Sequence, residues 1–264
     1  MGSPKLLFFD IDLTLWDRQN FIPESTVRAL KAAQANGHKI FLNSGRSRSY
    51  IRKKELLDIG FDGIVSGDGV RIEMGDEVLF SRVLDKDLAI RAVETCRRHG
   101  FWVMLEGPHH LYFDMDEFQN DAYAQKVRSE MEEDYRPLSD LWGEWETDKL
   151  SCATPVSDEE RLACYEELKD DFDFLVHGPI VTEMVPKGFN KGTGIRFLCE
   201  HLGVPVEDTF AFGDSMNDID MLKAAGTSVC MGNGQEEAKA ASDYVTATLW
   251  EDGIEKALKH FGLI

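Results

Sequence analysis

Two short apolar segments, one near each end of the chain, stop abruptly at acidic residues, and this pattern constrains the fold more than any other. Residues 5–9 run directly into Asp10-Ile11-Asp12, and residues 209–212 run into Gly213-Asp214. A short apolar run of this kind, followed by helical spacing, is typical of a buried parallel strand that opens into a loop. Because ligand sites in open α/β sheets lie at such strand ends, the acidic residues are predicted to share one crevice.

Several carboxylates in one crevice repel one another unless a cation lies among them. Mg²⁺ is the hard cation that prefers carboxylate and carbonyl oxygens as ligands. The sequence therefore predicts a Mg²⁺ site at the ends of these two strands.

Composition limits the partners of the protein. The formal net charge of −19 argues against nucleic-acid backbones and anionic membranes, because both would be repelled. No stretch approaches the roughly 20 apolar residues of a membrane span, and the N-terminus lacks a signal-peptide pattern, so a cytoplasmic protein is expected. The five scattered cysteines include no Cys-x-x-Cys pair and are expected to be reduced thiols.

The order of predicted elements indicates an α/β fold, with a Rossmann-like parallel sheet core and an inserted α+β cap domain. Residues 1–82 and 186–264 alternate strands and helices and form the predicted core, whose crossovers imply a parallel sheet. Residues 83–185 change character and form the predicted cap, which is expected to set substrate specificity. Predicted core elements include a helix at 26–35, strands at 39–43 and 63–66, and a second helix that ends near 59. Predicted cap elements are helices at 86–99, 117–132 and 158–169 and strands at 101–105, 110–114, 149–154 and 173–177.

The two acidic residues after the first strand suit two different roles. Asp10 directly follows the strand, so its carboxylate would be held rigidly and could attack a phosphorus atom to form an aspartyl-phosphate. Asp12 reaches the same crevice and could protonate the departing oxygen, then accept a proton from the hydrolytic water.

Neutral hydrogen-bond donors and a basic side chain elsewhere in the chain could bind a phosphate group. Ser44 and the amide of Gly45, at the end of the second strand and the start of the second predicted helix, offer neutral donors. Lys191 supplies a positive charge that offsets the charge of phosphate and carboxylates. Asp214 would complete the Mg²⁺ shell, with Asn217 and Asp218 in support. Arg46 either steers an anionic substrate or pairs with an acidic residue.

Taken in order, these motifs resemble the haloacid dehalogenase superfamily, and most closely its Cof-type phosphatase branch with an α/β cap of the C2 type. They read Asp-x-Asp-x-Thr, Ser-Gly-Arg, Lys-Gly and Gly-Asp-x-x-Asn-Asp. In that branch the cap lies between the second and third motifs, where residues 83–185 fall. The four motifs are specific only together, because Asp-x-Asp arises by chance in so acidic a chain.

The resemblance implies a role for each matching residue. Asp10 would be the nucleophile and a Mg²⁺ ligand, and Asp12 would be the acid/base and bind the metal through its backbone carbonyl. Asp214 would be the acidic metal ligand. The phosphate would be bound by Ser44, Gly45, Lys191 and Asn217, and the supporting residues would be Thr14, Arg46 and Asp218. Leu13 stands where the family usually has glycine, and a leucine at positive φ would cost roughly 1–2 kcal/mol.

These observations predict a Mg²⁺-dependent phosphatase that hydrolyses a small phosphorylated metabolite, such as a sugar phosphate, through an aspartyl-phosphate. Two alternatives stay open at this stage. One is a phosphomutase of similar architecture, and the other is a catalytically silent regulator that binds a phosphorylated metabolite. The presence of both Asp10 and Asp12 argues against the regulator, because binding alone needs no acid/base.

Overall fold

A computed structural model describes residues 3–118, 122–132, 134–153, 156–177 and 181–264. These residues form two compact units. The first unit contains the described residues up to Gly45, together with Arg52–Phe80 and Asn190–Ile264. The second unit contains Arg46–Ile51 and Ser81–Phe189. The structure thus assigns Arg46–Ile51, which lies in the predicted core range, to the second unit.

Both units contain strands and helices. In chain order the strands are β1 (Leu6–Phe9), β2 (Lys39–Asn43), β3 (Gly63–Ser66), β4 (Arg71–Met74), β5 (Glu77–Ser81), β6 (Trp102–Glu106), β7 (Leu111–Tyr112), β8 (Lys149–Ala153), β9 (Phe172–His177), β10 (Val181–Pro186), β11 (Thr209–Gly213), β12 (Thr227–Cys230) and β13 (Tyr244–Val245). The helices are α1 (Glu24–Ala35), α2 (Lys54–Leu57), α3 (Lys86–Arg98), α4 (Met115–Phe118), α5 (Ala122–Met131), α6 (Asp158–Leu168), α7 (Lys191–Leu202), α8 (Ile219–Ala224), α9 (Glu236–Ala240) and α10 (Gly253–His260). Within the described residues, no helix has both the length and the apolar character that a membrane crossing requires.

The first unit is built on an eight-stranded sheet in the order β13-β12-β11-β1-β2-β3-β4-β5. Strand β1 pairs in parallel with β11 on one side and with β2 on the other, and all of its residues are buried. An almost uniformly apolar strand is what a parallel sheet covered on both faces requires. The predicted α/β fold class, with a parallel core sheet and a separate sheet inserted in mid-chain, is confirmed.

The predicted second helix is confirmed only near its end, where the one-turn helix α2 covers Lys54–Leu57. Before α2 the structure has a short 3₁₀ turn at Arg48–Tyr50 and a non-helical backbone at Ile51. Tyr50 is 6% exposed and Ile51 is fully buried. Burial of these side chains in the tertiary structure outweighs the local helical propensity of the segment, which is a weak determinant.

The second unit contains a five-stranded sheet in the order β7-β6-β8-β10-β9. The pairs β6–β7, β6–β8, β8–β10 and β9–β10 are all antiparallel. Strand β10 was not predicted, because Thr182 and Glu183 interrupt its apolar pattern and it ends at Pro186, a residue that argues against strands. The predicted helix at 117–132 corresponds to α4 and α5, and its residues 119–121 lie outside the described residues, as does residue 154 of the predicted strand at 149–154.

All five cysteines are free, as their scattered positions predict, and the structure shows that all five are buried. Cys96, Cys152 and Cys164 belong to the apolar cluster on one face of the second unit's sheet.

Candidate active site

Two neighbouring strands of the first unit end at the acidic residues that the sequence singles out. Phe9 of β1 pairs with Phe212 of β11, so Asp10 and Asp214 follow adjacent strands at the same edge of the sheet. The Asp10 amide donates a hydrogen bond to the Phe212 carbonyl at 2.9 Å, which fixes the backbone of Asp10. Asp10 is 5% exposed and Asp214 is 4% exposed. Carboxylates from opposite ends of the chain are therefore held together in a buried site.

A third carboxylate joins them. Asp10, Asp214 and Asp218 each offer an oxygen within 4.8 Å of the others, and we call these three residues the carboxylate cluster. Lys191, the first residue of α7, places its ammonium Nζ 2.6 Å from Asp10 Oδ1 and 2.6 Å from Asp218 Oδ1. One ammonium thus faces three carboxylates, which leaves an excess of negative charge.

Asp218 organises this cluster through both of its carboxylate oxygens. Oδ2 accepts hydrogen bonds from the backbone amides of Asp214 at 2.9 Å and Ser215 at 3.0 Å, while Oδ1 accepts from Lys191. Asp218 therefore fixes the loop that carries Asp214 and also fixes the lysine. Thr14 Oγ1 donates to Asp214 Oδ1 at 3.5 Å, so Thr14 lies beside the same carboxylate.

When no cation is bound, the electrostatics of the cluster raise the pKa values of Asp10 and Asp214. Burial, together with Asp218 and Asp12, raises the pKa of Asp10 to about 7, although Lys191 opposes the shift. Burial and the charges of Asp10 and Asp218 raise the pKa of Asp214 to about 9. Burial lowers the pKa of Lys191, but the neighbouring carboxylates outweigh it and hold that pKa above its usual range. The donor set of hard oxygens and the uncompensated charge both fit a divalent cation.

Close packing of Gly213 against Asp218 yields a first prediction. A Cβ atom added at Gly213 would lie 2.6 Å from both Cβ and Cγ of Asp218. Gly213→Ala should therefore displace Asp218, lower kcat/KM by about tenfold or more and destabilise the fold by about 1–3 kcal/mol. Phosphate release and thermal melting would measure these effects. Gly75→Ala, in an exposed turn with open space around the added Cβ but with a φ of 57°, serves as a control that adds backbone strain alone and should leave turnover unchanged. Wild-type turnover in Gly213→Ala would show that the position of Asp218 does not matter.

The turn after Asp10 adopts a strained backbone. Leu13 has a φ of 59°, so the position does use the left-handed conformation at a cost of roughly 1–2 kcal/mol. Two contacts fix the turn: the Leu13 amide donates to the Trp16 carbonyl at 2.8 Å, and Asn233 Nδ2 donates to the Leu13 carbonyl at 2.8 Å. Trp16 Nε1 also donates to Asp12 Oδ1 at 3.0 Å and so orients the Asp12 carboxylate.

Apart from Lys191 at the start of α7, the predicted phosphate binders lie in two segments of the first unit, one after β2 and one after β11. Ser44 and Gly45 are buried at the end of β2, and the Ser44 amide donates to the Val65 carbonyl at 2.9 Å. No α-helix begins at Gly45, so its amide lacks the helix N-terminus that the sequence predicted. Asn217 is half-buried, and its Oδ1 accepts from Ser215 Oγ at 2.5 Å. The phosphate-binding roles of these residues stay predictions.

Arg46 lies in the second unit and is paired with an acidic residue. Its Nη1 is 3.0 Å from Glu130 Oε2, and its guanidinium lies 4.3 Å from the centre of the Tyr50 ring. The structure thus shows Arg46 paired with an acidic residue, and a role of Arg46 in steering an anionic substrate stays a prediction.

Sequence reasoning missed Asp68, Trp16 and Asn233. Asp68 is 1% exposed, has a φ of 58° and donates its amide to the Ser44 carbonyl at 3.1 Å. Its charge also acts on Lys191. The signal for Asp68 was present but weaker, since one residue separates it from the end of β3, whereas Asp10 directly follows β1. Trp16 and Asn233 act through the tertiary structure and carry no local signal.

Comparison with known proteins agrees with this geometry. The haloacid dehalogenase-like hydrolase family matches residues 7–258 of the chain. YkrA of Bacillus subtilis, a protein named provisionally as a phosphatase, is 31% identical over 266 residues and covers 98% of both chains. The 5-amino-6-(5-phospho-D-ribitylamino)uracil phosphatase YitU of Bacillus subtilis is 28% identical over 279 residues, again covering 98% of both chains.

A solved structure also resembles this chain in sequence and in fold. The subclass IIB sugar phosphatase BT4131 superposes with a TM-score of 0.84 at 30% identity, covering 98% of this chain and 100% of that one. The predicted class of enzyme, a phosphoric monoester hydrolase of this type, is thereby confirmed. With a match that spans almost its whole length, the chain belongs to the haloacid dehalogenase-like hydrolases.

Proposed function

We propose that the protein is a Mg²⁺-dependent phosphatase that releases phosphate from a small phosphorylated metabolite, a sugar phosphate, through an aspartyl-phosphate on Asp10. The observation that carries this proposal is the buried carboxylate cluster, in which one lysine faces three carboxylates at two adjacent strand ends. YitU and BT4131, whose names describe a phosphatase of a ribityl compound and a sugar phosphatase, support the choice of substrate class.

Some residues of the cluster would bind the cation, and others position their neighbours. Asp10 and Asp214, with the backbone carbonyl of Asp12, would bind Mg²⁺. Both oxygens of Asp218 already accept hydrogen bonds, so Asp218 positions Asp214 and Lys191 instead. When bound, the cation would offset negative charge on the phosphate and on the carboxylates.

The chain's own residues carry the two chemical steps. In the first, an Asp10 oxygen attacks phosphorus, the bond to the leaving oxygen breaks, and Asp12 donates a proton to that oxygen. In the second, Asp12 accepts a proton from water, which attacks the aspartyl-phosphate, and the bond between Asp10 and phosphorus breaks to release phosphate. Trp16 supports both steps because it holds the Asp12 carboxyl in one orientation.

We also propose that the first unit carries out the chemistry and that the second unit selects the substrate. Every residue in the proposed chemistry belongs to the first unit. The second unit, close to the predicted range 83–185, would then select the substrate.

Metal dependence provides the test of this function. EDTA should stop phosphate release from p-nitrophenyl phosphate, and Mg²⁺ should restore it. Without a cation, the carboxylates of the cluster repel one another. Because the metal-free pKa values are about 7 for Asp10 and about 9 for Asp214, Mg²⁺ must displace protons. Calorimetry should therefore show tighter Mg²⁺ binding at pH 8.5 than at pH 6, with proton release.

The same assay separates the alternatives. A phosphomutase would interconvert phosphate esters without net phosphate release, and a silent regulator would bind them without turnover. Full turnover in the presence of EDTA would rule out the metal-dependent mechanism.

A further inference from the structure

One side chain of the first unit connects the end of β2 with the start of α7. Asn43, the last residue of β2, is fully buried, and its Nδ2 donates a hydrogen bond to the Lys191 carbonyl at 2.9 Å. The two residues lie 148 positions apart in the sequence. Asn43 directly precedes Ser44, a predicted phosphate binder, and Lys191 is another. Asn43 therefore joins two predicted phosphate-binding residues from distant parts of the chain.

The first turn of α7 also lies very close to two other elements of the first unit. Val65, the partner of Asn43 on β3, packs against Gly194, where an added Cβ atom would lie 2.4 Å from Val65 Cγ1. An added Cβ atom at Gly192 would lie 2.5 Å from the Asp220 carbonyl oxygen in α8. The two glycines allow this close approach. The paired residues Asn43 and Val65 thus both contact the turn that carries the catalytic lysine.

Stability alone does not account for an asparagine at position 43. The Oδ1 atom of Asn43 is buried and has no hydrogen-bond partner within the described part of the chain. Such an oxygen opposes folding, because it loses its contact with water and gains no partner. The Lys191 carbonyl does not depend on Asn43 either, since a carbonyl in the first turn of an α-helix accepts a hydrogen bond from the amide four residues later. The position of α7 is the better explanation for this side chain.

The position of the Lys191 backbone matters because its ammonium has a defined task. The ammonium lies 2.6 Å from both Asp10 Oδ1 and Asp218 Oδ1, and the side chain is fully buried. An ammonium has three N–H donors, and among the described residues these two carboxylates are its hydrogen-bond acceptors. One donor is left for a phosphate oxygen, and a shift of the backbone would change how far that donor reaches.

We propose that Asn43 is a positioning residue of the phosphatase, which holds the first turn of α7 at the end of β2 and so fixes Lys191 relative to Ser44. In this arrangement the two residues bind oxygens of the same phosphoryl group. The inference rests on the proposed phosphatase function and adds a residue that acts through the backbone of Lys191. Because a misplacement of about 1 Å can lower a rate by about 100-fold, loss of one such hydrogen bond should be measurable.

Two substitutions in the full-length protein with Mg²⁺ test the proposal. Asn43→Leu keeps the branched shape without the donor, and Asn43→Ala removes the side chain beyond Cβ, so both variants lose the hydrogen bond to Lys191. In each variant, kcat/KM for p-nitrophenyl phosphate should fall at least about tenfold, equivalent to about 1.4 kcal/mol. Denaturant unfolding would show whether each purified variant is folded.

Orthovanadate separates a positioning role from a loss of folded protein. Bound orthovanadate resembles the phosphoryl group during its transfer, so the geometry of the site decides how tightly it binds. Its inhibition constant, Ki, should rise at least about tenfold in both Asn43 variants. A smaller folded fraction would lower kcat but would leave Ki and KM unchanged.

Asn36→Leu is the matched control. Asn36 Nδ2 also donates to a backbone carbonyl, that of Leu263, at 2.9 Å, but Asn36 is exposed and lies outside the proposed site. This variant loses the same kind of hydrogen bond and should keep the wild-type kcat/KM and the wild-type Ki.

The two constants distinguish the outcomes. A lower kcat/KM and a higher Ki in either folded Asn43 variant, with wild-type values in Asn36→Leu, would support the proposal. A wild-type Ki in the folded Asn43 variants, an equal change in Asn36→Leu, or failure of both Asn43 variants to fold would overturn the positioning role and leave the phosphatase intact. Absence of p-nitrophenyl phosphate turnover in the wild type would instead overturn the proposed function itself.

Discussion

Asp10→Asn should lower kcat by at least about 1,000-fold, a loss of more than about 4 kcal/mol of transition-state stabilisation. The amide has nearly the same shape as the carboxylate, but it is neither a nucleophile nor a good Mg²⁺ ligand. Release of inorganic phosphate from p-nitrophenyl phosphate would measure the loss. Asp76→Asn, in an exposed turn, is the matched control and should retain wild-type turnover.

The same substitution should make the metal-free protein more stable. Burial and neighbouring carboxylates hold the pKa of Asp10 at about 7, so ionised Asp10 opposes folding at higher pH. The folded state binds more protons than the unfolded state between the ordinary aspartate pKa and 7, so stability falls as the pH rises through that window. The neutral amide of the Asp10→Asn variant avoids this loss, and the melting temperature of the variant at pH 8 in EDTA should exceed that of the wild type. Wild-type activity in purified Asp10→Asn would disprove the covalent mechanism.

Lys191→Met should be the most destabilising of the substitutions considered. The ammonium lies 2.6 Å from both Asp10 and Asp218 and is fully buried, so its removal leaves two carboxylates without their counter-charge. Removing one partner from a buried pair typically costs about 3–5 kcal/mol. Denaturant unfolding would measure this cost, and turnover should also be lost.

Lys187→Met provides the control for this prediction. Lys187 forms a 3.0 Å pair with Asp173, but its side chain is 50% exposed, so the loss should be at most about 1 kcal/mol. Mg²⁺ offers a second check: it should partly restore the stability of Lys191→Met, because a cation can replace some of the missing positive charge. Equal stability of the two lysine variants would contradict the central position of Lys191.

The sequence allowed some parts of the site to be predicted because their signals are local. An apolar run that stops at a carboxylate identifies Asp10 and Asp214, and parallel pairing of β1 with β11 then brings them together. Strand β10 carries no such signal, since Thr182 and Glu183 lie in its interior. It forms a strand because it pairs with β8 and β9. The segment Arg46–Ile51 was misjudged for a related reason. Burial of Tyr50 and Ile51 decides its conformation, and the chain around them does not encode it.

Asp218 shows the limit of motif reasoning within the site itself. The motif predicted a supporting residue beside Asp214. The sequence motif does not reveal that one Asp218 oxygen accepts hydrogen bonds from two backbone amides and that the other accepts one from Lys191. That division depends on the close approach of Gly213, which only the folded loop displays. Spacing can identify which residues meet, whereas the direction of each hydrogen bond requires the structure.

The position of β1 between β2 and β11 has a consequence for the synthesis of the protein. Leu6 pairs with Lys39 and also with Thr209, so one edge of β1 can be covered early while the other waits for a strand that lies much later in the chain. Proteins are made from the N-terminus, and an apolar strand with an open edge is prone to pair with other chains. A nascent chain therefore carries Asp10 for 181 residues before Lys191 is added, and for longer before Asp214 and Asp218 are added. The site is incomplete until β11 and the loop after it have been made, and until then the open edge of β1 needs protection from aggregation.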